Sequence, residues 1–412
     1  MKYFRVLLAI AVFSVLTAFF SETFFVSEKQ SFPPITDEEQ SKKEPVSDEK
    51  KDYSGFAVNE PLTSGLSVSA KSAILCTADG TVIFSKNADV PLPMASITKV
   101  MSVIVALENV SDLSETVRIP REAVGIEGSS VYLTENEQVT YGMLVYSAML
   151  ESANDAVTAL AILTAGSEEA FVKLMNEKAA ELSMKSTHFV NPHGLHENEH
   201  FTTARDYARL MSYALDNVTF RKVIATKKAV YEKSDGSMSR VLTNHNRLLN
   251  TFSGMLGGKT GYTKASGRTL VTAAERSGTT LICVTIDAPS DWKDHTEMLT
   301  LGFDTVKTVT FDKQIRAEIP VAAGTEESVF AVLSKPVSFT VSAGENITYA
   351  VKIPHMVFAP LSAGQSLACA EFYKDGVLVL TVPLVCEEFV SVPTKTKQNK
   401  GFIDRLLGIF GQ

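Results

Sequence analysis

Ser96 and Lys99 lie in the stretch Pro93-Met94-Ala95-Ser96-Ile97-Thr98-Lys99, where a polar, turn-like segment gives way to the apolar run Val100 to Leu107. Such a junction places Ser96 at or just inside a helix N-terminus and Lys99 one turn later on the same face, so that an amine meets a hydroxyl. A serine hydroxyl is a poor nucleophile at neutral pH. A lysine held where its charged form is disfavoured loses its proton and serves as the activating base. The free N–H groups and positive dipole of the helix end supply charge where an oxyanion would develop. The spacing by itself is common, and a serine in that place also fits an ordinary N-cap.

Helices and strands must position this pair. Upstream of it, Ala73-Ile74-Leu75-Cys76 and Thr81-Val82-Ile83-Phe84 read as two short strands joined by the hairpin signal Ala78-Asp79-Gly80. Helical periodicity covers Tyr141 to Ala165 and Glu168 to Leu182, and the polar cluster Glu151 to Asp155 interrupts the first of these. Polar groups set into an apolar helical pair need partners, which a cleft provides. A further helix is expected over Ala204 to Leu215, announced by Thr203 with Asp206 three residues on. The glycine-rich turn Ser253 to Gly258 leads into Lys259-Thr260-Gly261-Tyr262 and then strands at Gly267 to Ala274 and Thr280 to Ile286. Strands at both ends with helices between predict an α+β fold, the terminal strands meeting in one antiparallel sheet with helices packed on it.

The 412-residue chain is long enough for two cores, and its 45% hydrophobic and 21% charged content is that of a globular protein. A net charge of −8 sets nucleic acid aside as a partner. Residues 1–26 read as a signal peptide or N-terminal anchor: Lys2 and Arg5 precede the apolar run Val6 to Phe20, and the small-residue pattern near Ala18 and Ser21 is incomplete, which leaves cleavage open. Residues 27–59, rich in Glu, Lys, Ser and Pro, read as a disordered linker. The main domain is expected over 60–303 and an all-β domain over 304–392, where short Val-, Thr- and Phe-rich runs alternate with turns such as Lys374-Asp375-Gly376. In the tail, 393–412, Phe402, Ile403, Leu406, Leu407 and Phe410 share one helical stripe behind Lys395, Lys397 and Lys400. That pattern fits an amphipathic helix lying on a membrane surface, or one docked on its own domain. The four cysteines sit in apolar runs without metal-ligand spacing and read as buried hydrophobes, with a pairing such as Cys369 to Cys386 left open.

Three clusters fall in one order: Ser96-Ile97-Thr98-Lys99, Ser152-Ala153-Asn154 and Lys259-Thr260-Gly261. They resemble the S-x-x-K, S-x-N and K-T-G motifs of the penicillin-binding protein and serine β-lactamase superfamily, each in the matching context of helix start, interhelical break and strand start. The stretches Phe189-Val190-Asn191-Pro192-His193-Gly194-Leu195 and Gly257-Gly258-Lys259-Thr260-Gly261-Tyr262-Thr263 narrow the resemblance to the low-molecular-mass D-alanyl-D-alanine carboxypeptidases. The resemblance implies a transpeptidase-like domain followed by a small β-sandwich, exported to the outer face of the cytoplasmic membrane. It implies hydrolysis of peptidoglycan stem pentapeptides without cofactor or metal, and covalent inhibition by β-lactam antibiotics. Carried over to these positions, Ser96 is the acylated nucleophile and Lys99 its base, Ser152 relays a proton to the departing D-alanine, and Asn154 bonds the peptide backbone. Lys259 and Thr260 hold the terminal carboxylate, Gly261 lets the strand approach, and the N–H groups of Ser96 and Tyr262 form the oxyanion hole. Two departures stand out. Tyr262 occupies a place where some members carry histidine, and Ile286-Asp287-Ala288-Pro289 lacks the arginine that some carry on that strand. The E-x-x-L-N run with which common β-lactamases deacylate does not occur between Asp155 and Gly258, which points to slow release of a β-lactam and to a peptide substrate.

Two other readings compete. His196-Glu197-Asn198-Glu199-His200 satisfies the H-E-x-x-H pattern of zinc peptidases, which needs both histidines on one helix face, although the surrounding Pro192, Gly194 and Thr202-Thr203 predict a loop before a helix cap. A sensor that keeps the fold and binds penicillin or muropeptides without turnover is the non-enzymatic alternative.

Overall fold

The computed structural model describes residues 56, 61–63, 65–232, 239–342 and 344–393. The expected export segment, most of the linker and the apolar stripe of the tail lie outside the described residues. Phe56 corrects the linker boundary. Expected within 27–59, it is buried in the main core with the Arg209 guanidinium 5.7 Å from its ring centre, and burial of a whole aromatic ring makes Phe56 part of the domain.

Five strands form one antiparallel sheet: β1 (Ser72–Thr77), β2 (Val82–Lys86), β3 (Met255–Thr263), β4 (Gly267–Arg276) and β5 (Thr279–Ile286), in the order β2-β1-β5-β4-β3. The terminal strands meet as expected, with Ser72 opposite Ile286 and Leu75 opposite Cys283. Every residue of β1 is buried, because both faces of the sheet are covered and the strand therefore reads as a continuous apolar run. Ile74 and Cys76 face one core with Ile282 and Val284, while Ala73 and Leu75 face a second with Leu281 and Cys283, the alternation that a pleated strand imposes. All four cysteines are free thiols.

Six helices build the first core: α1 (Lys99–Asn109), α2 (Tyr141–Leu150), α3 (Asn154–Ala165), α4 (Glu168–Glu181), α5 (Ala204–Leu215) and α6 (Val218–Ala225). Helix α7 (Asp291–Thr305) covers the opposite face through Met298 and Leu299. Helix α2 is buried on all sides, as its apolar residues on every face demand. The α5 start takes half of the expected capping box: Thr203 Oγ1 accepts from the Asp206 N–H at 3.1 Å, but the Asp206 carboxylate turns to Ser186 N–H and Thr187 Oγ1, each at 2.9 Å.

The eight strands from Val306 to Cys386 make the C-terminal domain, with Val306–Phe311 pairing Val337–Ser342 and the other six in a second sheet. Phe311 and Phe339 from the two-stranded ribbon meet Phe372 of the larger sheet at ring separations of 5.3 and 5.2 Å, so aromatic packing joins the two layers.

Candidate active site

Ser96 lies in a single 3-10 turn, Ala95–Thr98, that runs directly into α1. Ala95 has φ +51°, a left-handed conformation that costs a residue with a Cβ about 1–2 kcal/mol and persists only where the surroundings over-determine it. Here they do. The Met94 carbonyl accepts from Thr269 Oγ1 at 3.0 Å, the Ala95 carbonyl from Thr98 Oγ1 at 2.6 Å, and the Ile97 carbonyl from the Tyr207 hydroxyl at 2.5 Å. Gly194, at φ +90°, presses so close that a Cβ would stand 2.1 Å from the Ala95 oxygen. Ser96 itself is only half-buried.

Lys99, the first residue of α1, is fully buried. Its Nζ is 3.1 Å from Ser96 Oγ, 2.7 Å from Asn154 Oδ1 and 2.6 Å from the His193 carbonyl oxygen. Burial pushes the amine well below its ordinary pKa, the Lys259 charge adds to this, and Asp155 opposes it. A neutral amine has two N–H donors and one lone pair. The His193 carbonyl can only accept, and so can Asn154 Oδ1, whose amide is oriented by Nδ2 donating to the Glu127 carbonyl at 2.5 Å. In the neutral form both donors are thereby committed, and the lone pair faces the Ser96 hydroxyl.

Ser152 and Asn154 sit where the expected long helix breaks into α2 and α3. Ser152 adopts φ +59°, and Asn154 opens α3 with its N–H on the Ser129 carbonyl at 2.7 Å. Asp155 then organises the facing segment, accepting from Ser130 Oγ (2.6 Å), the Val131 N–H (3.2 Å) and the Leu133 N–H (2.9 Å). Sequence reasoning gave Asp155 no role. The available signal was a carboxylate in the first turn of a buried helix, which has to find donors. The His193 and Glu127 carbonyls, which fix Lys99 and Asn154, carry no such signal because any residue type provides a backbone oxygen.

Strand β3 is a sheet edge and brings the third cluster against the nucleophile turn. At Gly261 a Cβ would fall 2.4 Å from Thr269 Oγ1 and 2.9 Å from the Ser96 nitrogen, so a side chain here would force the strand away from Ser96. Lys259 is buried, its Nζ donating to Ser152 Oγ at 2.9 Å and to the Thr260 carbonyl at 2.8 Å. Thr260 is half-buried, and Tyr262 is 65% exposed. The structure thus gathers Ser96, Lys99, Ser152, Asn154, Lys259 and Gly261 through direct contacts, with Thr260 and Tyr262 on the same strand. It also bonds Ser152 to Lys259.

Burial lowers the Lys259 pKa from 10.5 to about 7. Between those values the unfolded chain holds more protons here than the folded one, so stability rises with pH across that window, and below about 7 the full cost of burying the ammonium is present. Lys259→Met keeps the stem and removes the charge. Its melting temperature is expected to exceed that of the wild type near pH 6, the gap narrowing towards pH 10, while peptide turnover falls. Thermal melts across that range check this; a gap that widens with pH contradicts it.

The zinc alternative needed a helix. Instead His196 to His200 form a loop in which His196 is exposed and His200 is buried, with Nε2 2.8 Å from Thr98 Oγ1. The two rings do not share a helix face. Among the described residues no cluster of three or more His, Cys, Asp or Glu is placed to hold a metal ion.

Comparison with known proteins identifies the family. The family profile described as D-alanyl-D-alanine carboxypeptidase matches residues 56–290, and that of the penicillin-binding protein 5 C-terminal domain matches residues 303–392. The D-alanyl-D-alanine carboxypeptidase DacF of Bacillus subtilis is 32% identical over 339 residues, covering 79% of this chain and 87% of its own. A D-alanyl-D-alanine endopeptidase of Escherichia coli is 29% identical over 210 residues, 50% of this chain and 67% of its own. Penicillin-binding protein 5 from Haemophilus influenzae shares the fold, with a TM-score of 0.62 at 24% identity over 80% of this chain and 99% of that one. With the family profile spanning more than half of the sequence, the chain belongs to the D-alanyl-D-alanine carboxypeptidase family.

Proposed function

We propose that the protein removes the terminal D-alanine of peptidoglycan stem pentapeptides through an acyl-enzyme on Ser96, and that β-lactams acylate the same hydroxyl. The observation that carries this reading is the fully buried Lys99 amine 3.1 Å from Ser96 Oγ, its pKa pushed well down by burial and by the Lys259 charge. In the first step Ser96 Oγ attacks the carbonyl carbon of the penultimate D-alanine while Lys99 takes the hydroxyl proton. The N–H groups of Ser96 and Tyr262 receive the oxyanion. Lys259 donates to Ser152 Oγ, so the Ser152 hydroxyl hydrogen remains free to pass to the departing amine as Lys99 returns its proton to Ser152. Water then attacks the acyl-enzyme by the reverse path. Asn154 aligns the peptide backbone, and Lys259 with Thr260 holds the free carboxylate. An anion arriving beside Lys259 raises its depressed pKa, so substrate binding takes up a proton near neutral pH.

The export segment and the tail complete the proposal: an extracytoplasmic enzyme held at the membrane surface by 393–412, with three lysines each adding about 1 kcal/mol near anionic lipid. No described helix is long and apolar enough to cross a membrane, and a surface-lying helix needs no such span.

One experiment tests both parts. D-alanine release from a soluble pentapeptide, and co-sedimentation with anionic vesicles, are measured for the protein lacking the export segment 1–26, with and without residues 393–412. Release is expected to be equal and co-sedimentation to be lost on truncation. Penicillin capture without any release would favour the sensor, cleavage of a cross-linked peptide alone would favour an endopeptidase, and undiminished co-sedimentation would place the anchor elsewhere.

A further inference from the structure

The histidine left over from the H-E-x-x-H pattern has a different use. His200 is buried against Phe189, the ring centres 5.9 Å apart and nearly perpendicular. Its Nδ1 accepts from the Val190 N–H at 3.0 Å, which puts the ring proton on Nε2. Nε2 faces Thr98 Oγ1 at 2.8 Å, and Thr98 Oγ1 is 2.6 Å from the Ala95 carbonyl oxygen. That oxygen can only accept, so the threonine hydrogen is spent on it and the threonine oxygen must accept from His200. Every donor in the chain Val190 N–H, His200 Nε2–H, Thr98 O–H has one direction, ending on Ala95. Burial, with the nearby His188, His196 and Lys99 charges, lowers the His200 pKa to about 3, so the ring stays neutral and the direction holds at working pH.

The Ala95 carbonyl and the Ser96 N–H belong to one planar peptide and point in opposite directions. Fixing the oxygen therefore fixes where the Ser96 N–H points, in a turn where the left-handed φ of Ala95 would otherwise favour relaxation.

We propose that His200 is a positioning residue for the acylation step, holding the Ala95–Ser96 peptide through Thr98 so that the Ser96 N–H faces the developing oxyanion. This rests on the reading of Ser96 as the nucleophile. An oxyanion is bound only as the tetrahedral intermediate forms, so loss of the positioning affects chemistry more than substrate binding.

The test uses the full chain with His200→Ala, Thr98→Val, both together, and Thr98→Ser, which keeps the hydroxyl. For each, kcat and KM on a pentapeptide and the rate constant of acylation by a fluorescent penicillin are measured. His200→Ala and Thr98→Val are each expected to lower kcat and the acylation rate by about 10–100-fold, below the 10²–10³ of a deleted oxyanion donor, with KM within about twofold. The double variant should lose no more than the larger single loss, and Thr98→Ser should recover most of the rate. If His200→Ala does not fold, the two Thr98 variants carry the test. Undiminished acylation in the single variants, multiplied losses in the double, or a Thr98→Ser as slow as Thr98→Val overturns the proposal. Wild-type protein that acquires no adduct on Ser96 would instead overturn the underlying reading.

Discussion

Ser96→Ala is expected to lower peptide turnover by about 10⁴-fold or more and to abolish stable penicillin capture, with folding unchanged. Loss of a nucleophile that acts as a unit with its base removes nearly the whole chemical contribution, leaving only what binding and the oxyanion donors provide. A factor of 10⁴ corresponds to about 5.5 kcal/mol of barrier. The structural cost is small because Ser96 is half-buried and Lys99 keeps its bonds to Asn154 and His193 without it. Activity within tenfold of wild type, in a preparation free of wild-type protein, would show that another group is acylated.

Lys99→Met should be nearly as severe, about 10²–10⁴-fold in the acylation rate constant, the range of a general base. Methionine fills most of the space that alanine would leave empty, which keeps the cavity cost of a large-to-small change out of the comparison. It also removes an amine whose burial already pushes its pKa well below the ordinary lysine value. Thermal stability is therefore expected to match or exceed that of the wild type although Asn154 Oδ1 and the His193 carbonyl lose a donor. The pH dependence separates a base from a structural strut. Acylation of the wild type should depend on the fraction of neutral Lys99, which increases with pH, and the residual rate of the variant should lack that limb. A variant that acylates at the wild-type rate near neutral pH would assign the base elsewhere.

Much of the fold could be read from apolar periodicity. The strand pair around Ala78-Asp79-Gly80, the helix Ala204–Leu215 and the antiparallel closure of the terminal strands all follow from alternation or 3.6-residue repeats that only one packing satisfies. Phe56 was hidden by its company, one buried ring within a polar, Pro- and Lys-containing stretch. The clusters around Ser96, Ser152 and Lys259 were legible because their chemistry resides in side chains. What escaped was the backbone part of the cleft, namely the His193 and Glu127 carbonyls and the peptide of Ala95, whose positions are set by tertiary contacts and not by residue type. Asp155 and His200 fall between these cases. Both residue types were visible, but their partners are 22–25 residues away for Asp155 and 102 for His200, distances over which sequence spacing carries no geometric information. The zinc-like pattern at His196 to His200 shows the converse, a spacing met by chance in a loop where the two rings diverge.

The central claim is that one hydroxyl, activated by a buried neutral lysine, forms the covalent intermediate. Intact-mass and peptide-mapping mass spectrometry after exposure of the full chain to benzylpenicillin tests it most directly. One equivalent of added penicilloyl mass, mapped to Ser96 and absent after Ser96→Ala, is the predicted result. An adduct on a different residue, or D-alanine release by a protein that never acquires one, would contradict it.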